Sequence, residues 1–324
     1  MLTPAMLERA YDRAVAALLQ AEKVCIVTHL RPDADAVGSA TALSHALRQL
    51  GKETRMVIGQ LREVPTNLRS IPGAEEIETT RDLPQGYDLY VAVDCGALDR
   101  TGMLDRQLEG RADFVCIDHH ASNQGFADIN VIDVECESTT MVLKHLFTML
   151  GVELNRDIAH CLYAGLVTDT GSFRWGRPVM HDMASELMSY GLDVRQIAID
   201  LIDSVSAPDL YMVGRVLSGL RLVNAGKRRL AVLVASRDLT GDSSESAVES
   251  LVEFIRALEG TDMGVVFKEL APSHWAVSLR STTINCAEVA VRMSGGGHVP
   301  AAGYTTQGSV RQIIDELVEA VRLT

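Results

Sequence analysis

FVCIDHHASN, residues 114–123, is an unbroken apolar run that stops at an acid and two histidines. A short run of this kind, without polar alternation, reads as a strand buried on both faces. Asp118, His119 and His120 then leave the strand together at one edge of a sheet. Three other segments repeat the pattern of an apolar run ending in acids or His: VCIVTHLRPDADAVGS at 24–39, LYVAVDCG at 89–96 and GLVTDTGSFRW at 165–175. In open parallel sheets ligands bind at the carboxyl ends of the strands. Four such ends side by side gather His29, Asp33, Asp35, Asp94, His119, His120 and Asp169 in one cleft. That is far more ionisable groups than a fold needs, and it points to a metal site.

Each group has a blander reading. Pro32 forbids continuation of the strand before it, so His29, Asp33 and Asp35 sit in a turn leading to a helix over 40–50. Asp33 and Asp35, two apart in extended chain, face the same side, and the N–H groups near Gly38 and Ser39 can receive a phosphate oxygen. A helix cap by Asp35 or Ser39 accounts for one of these residues and leaves His29 and Asp33 unexplained. Asp94 alone reads as a turn residue. Arg100 follows it closely, and Arg174 lies five residues past Asp169, where a guanidinium suits a phosphate. Ser138, Thr139 and Thr140 read as the N-cap of a helix to Leu150.

The 324 residues suffice for two domains with separate cores. With 47% hydrophobic and 23% charged residues the chain is an ordinary globular composition. Its six Cys are scattered without a C-x-x-C pair, which suits buried thiols in a reducing cytoplasm. The first 23 residues mix charges into a helical period rather than forming a signal peptide, and no later run approaches the ~20 apolar residues of a membrane span. A cytoplasmic location without a membrane partner is expected. The net charge of −13 argues against long duplex DNA as a partner, whereas bound cations can invert the field locally for small anions.

The expected fold is α/β. A helix over 4–22 precedes strands at 23–29, 54–59, 89–94 and 114–120, with loop and a short helix over 61–86. Helical periods follow at 138–150 and 180–222, the latter interrupted by Pro208, and 156–168 reads as a second helix or a buried segment delivering Asp169. This gives a catalytic domain over 1–195, a helical linker over 196–222, and a smaller α+β domain over 223–324. In the latter, strands are expected at 229–235, 263–270 and 275–280, and helices at 246–258, 287–293 and 310–323. Gly295, Gly296 and Gly297 precede His298. One glycine suffices for a helix C-cap, so three point to close backbone approach to a ligand. The apolar linker helix is compatible with a homodimer.

His29-x-x-x-Asp33-x-Asp35, Asp94, Asp118-His119-His120 and Asp169 resemble the motifs of the DHH phosphoesterases, and GGGHVPAAG at 295–303 resembles the associated DHHA1 domain. The resemblance covers essentially the whole chain, and the two-domain size is similar to the NrnA-like nanoRNase/pAp-phosphatase branch. It implies a parallel-sheet DHH domain with helices on both faces, a linker helix and a DHHA1 domain. It also implies His29, Asp33 and Asp94 on one Mn²⁺, and Asp35, Asp94, His119 and Asp169 on a second. His120 is placed near the scissile phosphate, and Arg280, Gly296, Gly297 and His298 against the substrate's terminal phosphate or base. A mixed carboxylate and imidazole set suits Mn²⁺ and is also accepted by Mg²⁺, Co²⁺ and Zn²⁺. Asp118 is expected to hold an imidazole through its second nitrogen.

The implied activity is hydrolysis of short RNA, linear dinucleotides and pAp, with cyclic dinucleotides such as cyclic di-AMP as a further class. A manganese-dependent pyrophosphatase is the alternative enzyme, disfavoured by GGGH beside Arg280. A nucleotide sensor without catalysis is the alternative outside enzymology.

Overall fold

The protein is described by a computed structural model covering residues 3–203, 205–241, 243–256 and 258–324. The chain divides into two compact units, Met1–Ser204 and Val205–Thr324, and the division falls inside the stretch expected as linker.

In the first unit the apolar runs form β1 (Lys23–Thr28), β2 (Glu53–Ile58), β3 (Glu78–Thr79), β4 (Leu89–Val93), β5 (Phe114–Asp118) and β6 (Ile129–Ile132). They make one parallel sheet in the order β3-β2-β1-β4-β5-β6. The order reverses between β1 and β4, the place where doubly wound sheets open a crevice.

The helices of this unit are α1 (Pro4–Gln20), α2 (Ala34–Gln49), the short α3 (Asp105–Leu108), α4 (Thr139–Leu150), α5 (Arg156–Asp169), α6 (Val179–Met188) and α7 (Val194–Ala198). Both faces of the sheet are covered, which is why its strands read as continuous apolar runs. Val24, Ile26, Val91, Val93, Val115 and Ile117 pack in the large core under α1, α2, α4 and α5. Cys25, Val27, Val57, Tyr90, Ala92 and Phe114 face a thinner layer that includes Leu108 of α3 and Leu104 just before it.

The start of α2 lies six residues earlier than the sequence pattern suggests. Asp33, not Asp35 or Ser39, is its N-cap, accepting from the N–H groups of Asp35 (3.1 Å) and Ala36 (3.0 Å). Gly38 and Ser39 therefore lie within the helix, fully buried in the case of Ser39, so no phosphate reaches their N–H groups. A Cβ on Gly38 would lie 2.5 Å from the Cys161 carbonyl oxygen, and one on Gly165 would lie 2.3 Å from Asp35 Oδ1. Bare backbone at these two points lets α2 and α5 pack closely.

The second unit begins with α8 (Ala207–Ser218), which Pro208 starts rather than interrupts, since a missing N–H is tolerated in the first turn. The helical period read through residue 222 ends earlier, and β7 (Arg221–Ala225) takes its place. β8 (Arg228–Ala235), α9 (Arg237–Thr240), α10 (Glu245–Ile255), β9 (Met263–Ala271), β10 (His274–Arg280), α11 (Cys286–Arg292), β11 (Gly296–Gly297), β12 (Ala301–Gln307) and α12 (Val310–Arg322) complete it. The sheet order is β11-β12-β10-β9-β8-β7, antiparallel except for β8 with β9. One face packs on α11 and α12 and the other on α8 and α10. Among the described residues, no helix is long and apolar enough to cross a membrane.

Candidate metal centre

His29 follows β1 directly, Asp94 follows β4, and Asp118 ends β5, so all three emerge at the carboxyl edge beside the reversal of strand order. Asp169 arrives differently: it is the last residue of α5, a helix, and not the end of a fourth strand as the apolar run suggested. Asp94 adopts φ +58°, a left-handed conformation that Asp tolerates better than most residues.

Two triads converge on this edge. His29, Asp33 and Asp94 offer ligand atoms within 4.8 Å of one another, and so do Asp35, His119 and Asp169. His29 Nε2 lies 3.4 Å from Asp94 Oδ2 and 3.7 Å from Asp33 Oδ2. Asp33 thus caps α2 with one oxygen and turns the other to the cluster. His119 Nε2 lies 3.2 Å from Asp169 Oδ2 and 3.9 Å from Asp94 Oδ1, so Asp94 stands between the triads.

Each imidazole is oriented by its Nδ1. That of His29 is 2.8 Å from the Leu30 carbonyl, that of His119 is 3.3 Å from the Cys136 carbonyl, and that of His120 is 2.8 Å from Asp118 Oδ1. Donation to these oxygens selects the tautomer whose Nε2 can serve as a ligand. Asp118, completely buried, also accepts from Asn123 Nδ2 at 2.7 Å, which fixes the carboxylate that fixes His120.

The N-terminus of α4 closes the cluster from behind. The N–H groups of Thr139 (2.6 Å) and Thr140 (3.0 Å) donate to the two oxygens of Asp35, and Thr139 Oγ1 donates to Asp94 Oδ1 at 2.8 Å. Ser138 alone performs the capping read from the sequence, accepting from Met141 N. Thr139 and Asn123 were thus missed as supporting residues. The run of hydroxyls and the Asn ending FVCIDHHASN were their only signals.

The electrostatics show what the residues lack by themselves. Burial disfavours a charged His29, yet Asp33 and Asp94 override it and raise its pKa to about 10. Burial likewise opposes ionisation of Asp94, but His29 and the other two histidines hold it well below the usual carboxylate range. Asp35 goes the other way, pushed well above that range by burial and by the charges of Asp94 and Asp169. Burial also raises Asp169. Four carboxylates this close cannot all ionise without added positive charge. Divalent cations would supply that charge, and oxygen and imidazole donors fit them.

Arg100 is brought to the cluster: its Nη2 lies 3.3 Å from His29 Nδ1, and its carbonyl accepts from Leu30 N. Arg174 lies in the segment after Asp169. That segment turns through three consecutive left-handed residues, Gly171, Ser172 and Phe173 (φ 54°, 62° and 61°). Left-handed geometry costs a residue with a Cβ roughly 1–2 kcal/mol. Arg177, further along, ties the segment to the loop before α4, donating to Glu137 at 2.8 and 2.9 Å and to Glu135 at 2.8 Å.

Arg280, Gly296, Gly297 and His298 belong to the second unit. Arg280 ends β10, its Nε 3.9 Å from Glu253 of α10. The three glycines do not act alike. A Cβ on Gly295 would lie 2.2 Å from the Gly303 carbonyl oxygen, and one on Gly297 2.5 Å from Ala302 Cα. Those two serve the β11–β12 hairpin, whose turn His298 closes by exchanging backbone hydrogen bonds with Ala301. Of the three, only Gly296 faces open space, with nothing within 4 Å of an added Cβ, so the inference from three glycines reduces to one.

A family model described as the DHH family, N-terminal domain, matches residues 23–166, and one described as the DHHA1 domain matches residues 229–323. The bifunctional oligoribonuclease and PAP phosphatase NrnA of Thermus thermophilus is 33% identical over 318 residues, spanning 96% of this chain and 93% of that protein. An exopolyphosphatase-related protein from Bacteroides fragilis superposes with a TM-score of 0.86 at 24% identity, over 99% of this chain and 98% of its own. RecJ from Thermus thermophilus in complex with Mn²⁺ superposes with a TM-score of 0.53 at 15% identity, over 98% of this chain and 54% of its own. The last two establish likeness of fold. With both domains matched in order and a relative one-third identical along nearly its full length, the chain belongs to the DHH/DHHA1 phosphoesterases, in their NrnA-like branch.

Proposed function

We propose that this protein is a two-metal phosphoesterase that cuts short oligoribonucleotides and linear dinucleotides to 5′-mononucleotides and converts pAp to AMP and phosphate. The observation that carries the reading is the pair of triads with Asp94 between them, in a chain whose relative is named for both activities. His29, Asp33 and Asp94 hold one divalent cation, and Asp35, His119 and Asp169, with Asp94, hold the other. Mn²⁺ is the leading candidate, the ion in the RecJ complex, with Mg²⁺ and Co²⁺ as substitutes. Cations bound there supply charge neutralisation on the phosphate and acidify a water molecule.

The chain's own residues do the rest. Asp94 remains ionised between the triads because three histidines surround it. Asp118 fixes the His120 imidazole, whose position near the scissile phosphate suits proton transfer or electrostatic support. Arg100 and Arg174 are the first unit's candidates for contacts to the substrate's phosphates, and Arg280, Gly296 and His298 are those of the second unit, Gly297 being taken up by the hairpin. The net charge of −13 favours short substrates, since a long strand meets repulsion outside the cleft. Cyclic di-AMP is a further substrate of the same centre.

A chromatographic product assay with Mn²⁺ tests this on a 5′-phosphorylated RNA dinucleotide, a long single-stranded RNA, pAp, cyclic di-AMP and pyrophosphate, with Asp94→Ala as control. Preference for the dinucleotide or pAp, with the long RNA largely intact, is expected. Rapid digestion of the long RNA, or cleavage of pyrophosphate alone, would overturn the reading.

A further inference from the structure

Trp175 is partly exposed and yet held in place by several contacts. The chain has two Trp. Trp275 is 3% exposed in the core of the second unit, its Nε1 donating to the Gly308 carbonyl, whereas Trp175 is 41% exposed. The Trp175 indole N–H donates to the backbone carbonyl of Asp169 at 2.8 Å, the residue whose carboxylate meets His119 at 3.2 Å.

A Cβ on Gly171 would lie 2.0 Å from Cη2 of the indole, 2.4 Å from Cζ2 and 2.5 Å from Cζ3. Those nearly equal distances put Gly171 against a ring face rather than its rim, so the indole rests flat on bare backbone there. The Arg174 guanidinium lies 5.2 Å from the ring centroid, and its Nε donates to the Gly171 carbonyl at 2.5 Å. The left-handed turn that makes this seat is pinned by Ser172 N to the Val167 carbonyl (2.7 Å), Phe173 N to Thr170 Oγ1 (3.1 Å) and Arg174 N to the Thr170 carbonyl (3.0 Å). Strain of this kind persists only where its surroundings over-determine it. Here it fixes a partly exposed indole whose N–H is bonded to the backbone of Asp169.

We infer that Trp175 is a stacking platform for the nucleobase next to the scissile phosphate, with Arg174 at its margin to meet the nucleotide's charge. The inference rests on the proposed activity toward short oligonucleotides and names the part of the substrate that this wall of the site reads. Stacking accepts every base, since each has a π face, and so suits an enzyme that degrades fragments of any sequence.

The test compares wild-type enzyme, Trp175→Phe and Trp175→Ala on pApA and on a dinucleotide of the same backbone lacking both bases. Trp175→Ala should raise KM for pApA by about 5- to 150-fold, the worth of one stacked base, and should have no such effect on the base-free substrate. Trp175→Phe, which keeps a ring in the seat, should recover most of the loss. An unchanged KM for pApA in Trp175→Ala, or an equal rise on the base-free substrate, overturns the platform. A second arm needs no turnover. Fluorescence of Trp175 in a Trp275→Phe background should be quenched by AMP and not by ribose 5-phosphate. Quenching by both or by neither refutes the platform. Failure of wild-type enzyme to cut any short substrate would refute the proposed activity and leave the fluorescence arm to judge Trp175.

Discussion

Replacing Gly165 by Ala adds one carbon, and the structure states where it goes: 2.3 Å from Asp35 Oδ1 and 2.6 Å from both Cγ2 and Oγ1 of Thr140. Ordinary contact begins near 3.4 Å, so something must move by about 1 Å. Asp35 is clamped by two backbone N–H groups at 2.6 and 3.0 Å, and Thr140 is fully buried in α4. Overpacking costs about 1–3 kcal/mol and a lost charge-assisted hydrogen bond about 1.5–3, while Ala gains about 1 over Gly within a helix; the net loss is about 1.5–5 kcal/mol. A 1 Å shift at a reacting centre also lowers turnover by about 100-fold. Chemical denaturation and Mn²⁺ stoichiometry should both register the change, beside pAp hydrolysis. Gly214→Ala is the matched control: Gly214 is an exposed residue of α8 with nothing within 4 Å of an added Cβ, and the substitution should stabilise by about 1 kcal/mol. A Gly165→Ala protein as stable and active as wild type would refute the claim that the α2–α5 contact sets the position of Asp35.

Asp118→Asn should lower kcat toward pAp by about 100-fold or more, because an amide no longer holds the His120 ring in one tautomer; kcat within twofold of wild type would remove His120 from the chemistry. Arg177→Ala releases the loop whose Cys136 carbonyl orients His119, so Mn²⁺ affinity measured by titration should fall about 10- to 100-fold, and unchanged affinity would mean the clamp does not reach His119. After chelation, stability should depend on pH through His29. Its pKa is raised from 6.5 to about 10, so the pairing with Asp33 and Asp94 is fully present below pH 6.5 and is lost as pH rises through about 10. Denaturation midpoints of the metal-free protein should decline across that window, and a midpoint that rises instead would contradict the sign.

The strands of the first unit were legible because burial on both faces leaves an unbroken apolar run with an abrupt polar end, as at Val93-Asp94 and Ile117-Asp118. The convergence of acids and histidines at one sheet edge was legible for the same reason. Asp169 reads both as an apolar-run end like the strands, because GLVTD is apolar throughout, and as the end of a helix or buried segment over 156–168. The helix reading is the one the structure bears out, and burial on most of a helix's surface weakens the 3.6-residue period that separates the two. The start of α2 was misplaced because Asp33 performs two tasks, and pattern alone assigned it only the cluster. β6, β7 and β12 escaped notice: INVI is short, RLVNA continues a helical period, and AAGYTTQ is rich in small residues that pack against β10 rather than announce a strand. The supporting contacts of Thr139, Asn123 and Arg177 depend on loops meeting in space and have no periodic signature.

Cys95 directly follows Asp94, and Cys116 lies two residues before Asp118, yet both are fully buried. Burial keeps both thiols protonated well above their ordinary range. A thiolate at either position would favour softer ions such as Zn²⁺ or Cu⁺, which bind sulfur far more tightly than Mn²⁺ does. Both sulfurs are buried within one or two residues of the carboxylates, Cys95 in the apolar layer behind the sheet and Cys116 inside β5, and that burial denies them a charge. For the cations proposed above, the donors left at this edge are hard oxygens and borderline nitrogens, and the exclusion of sulfur is the work of the hydrophobic core rather than of the acids and histidines themselves.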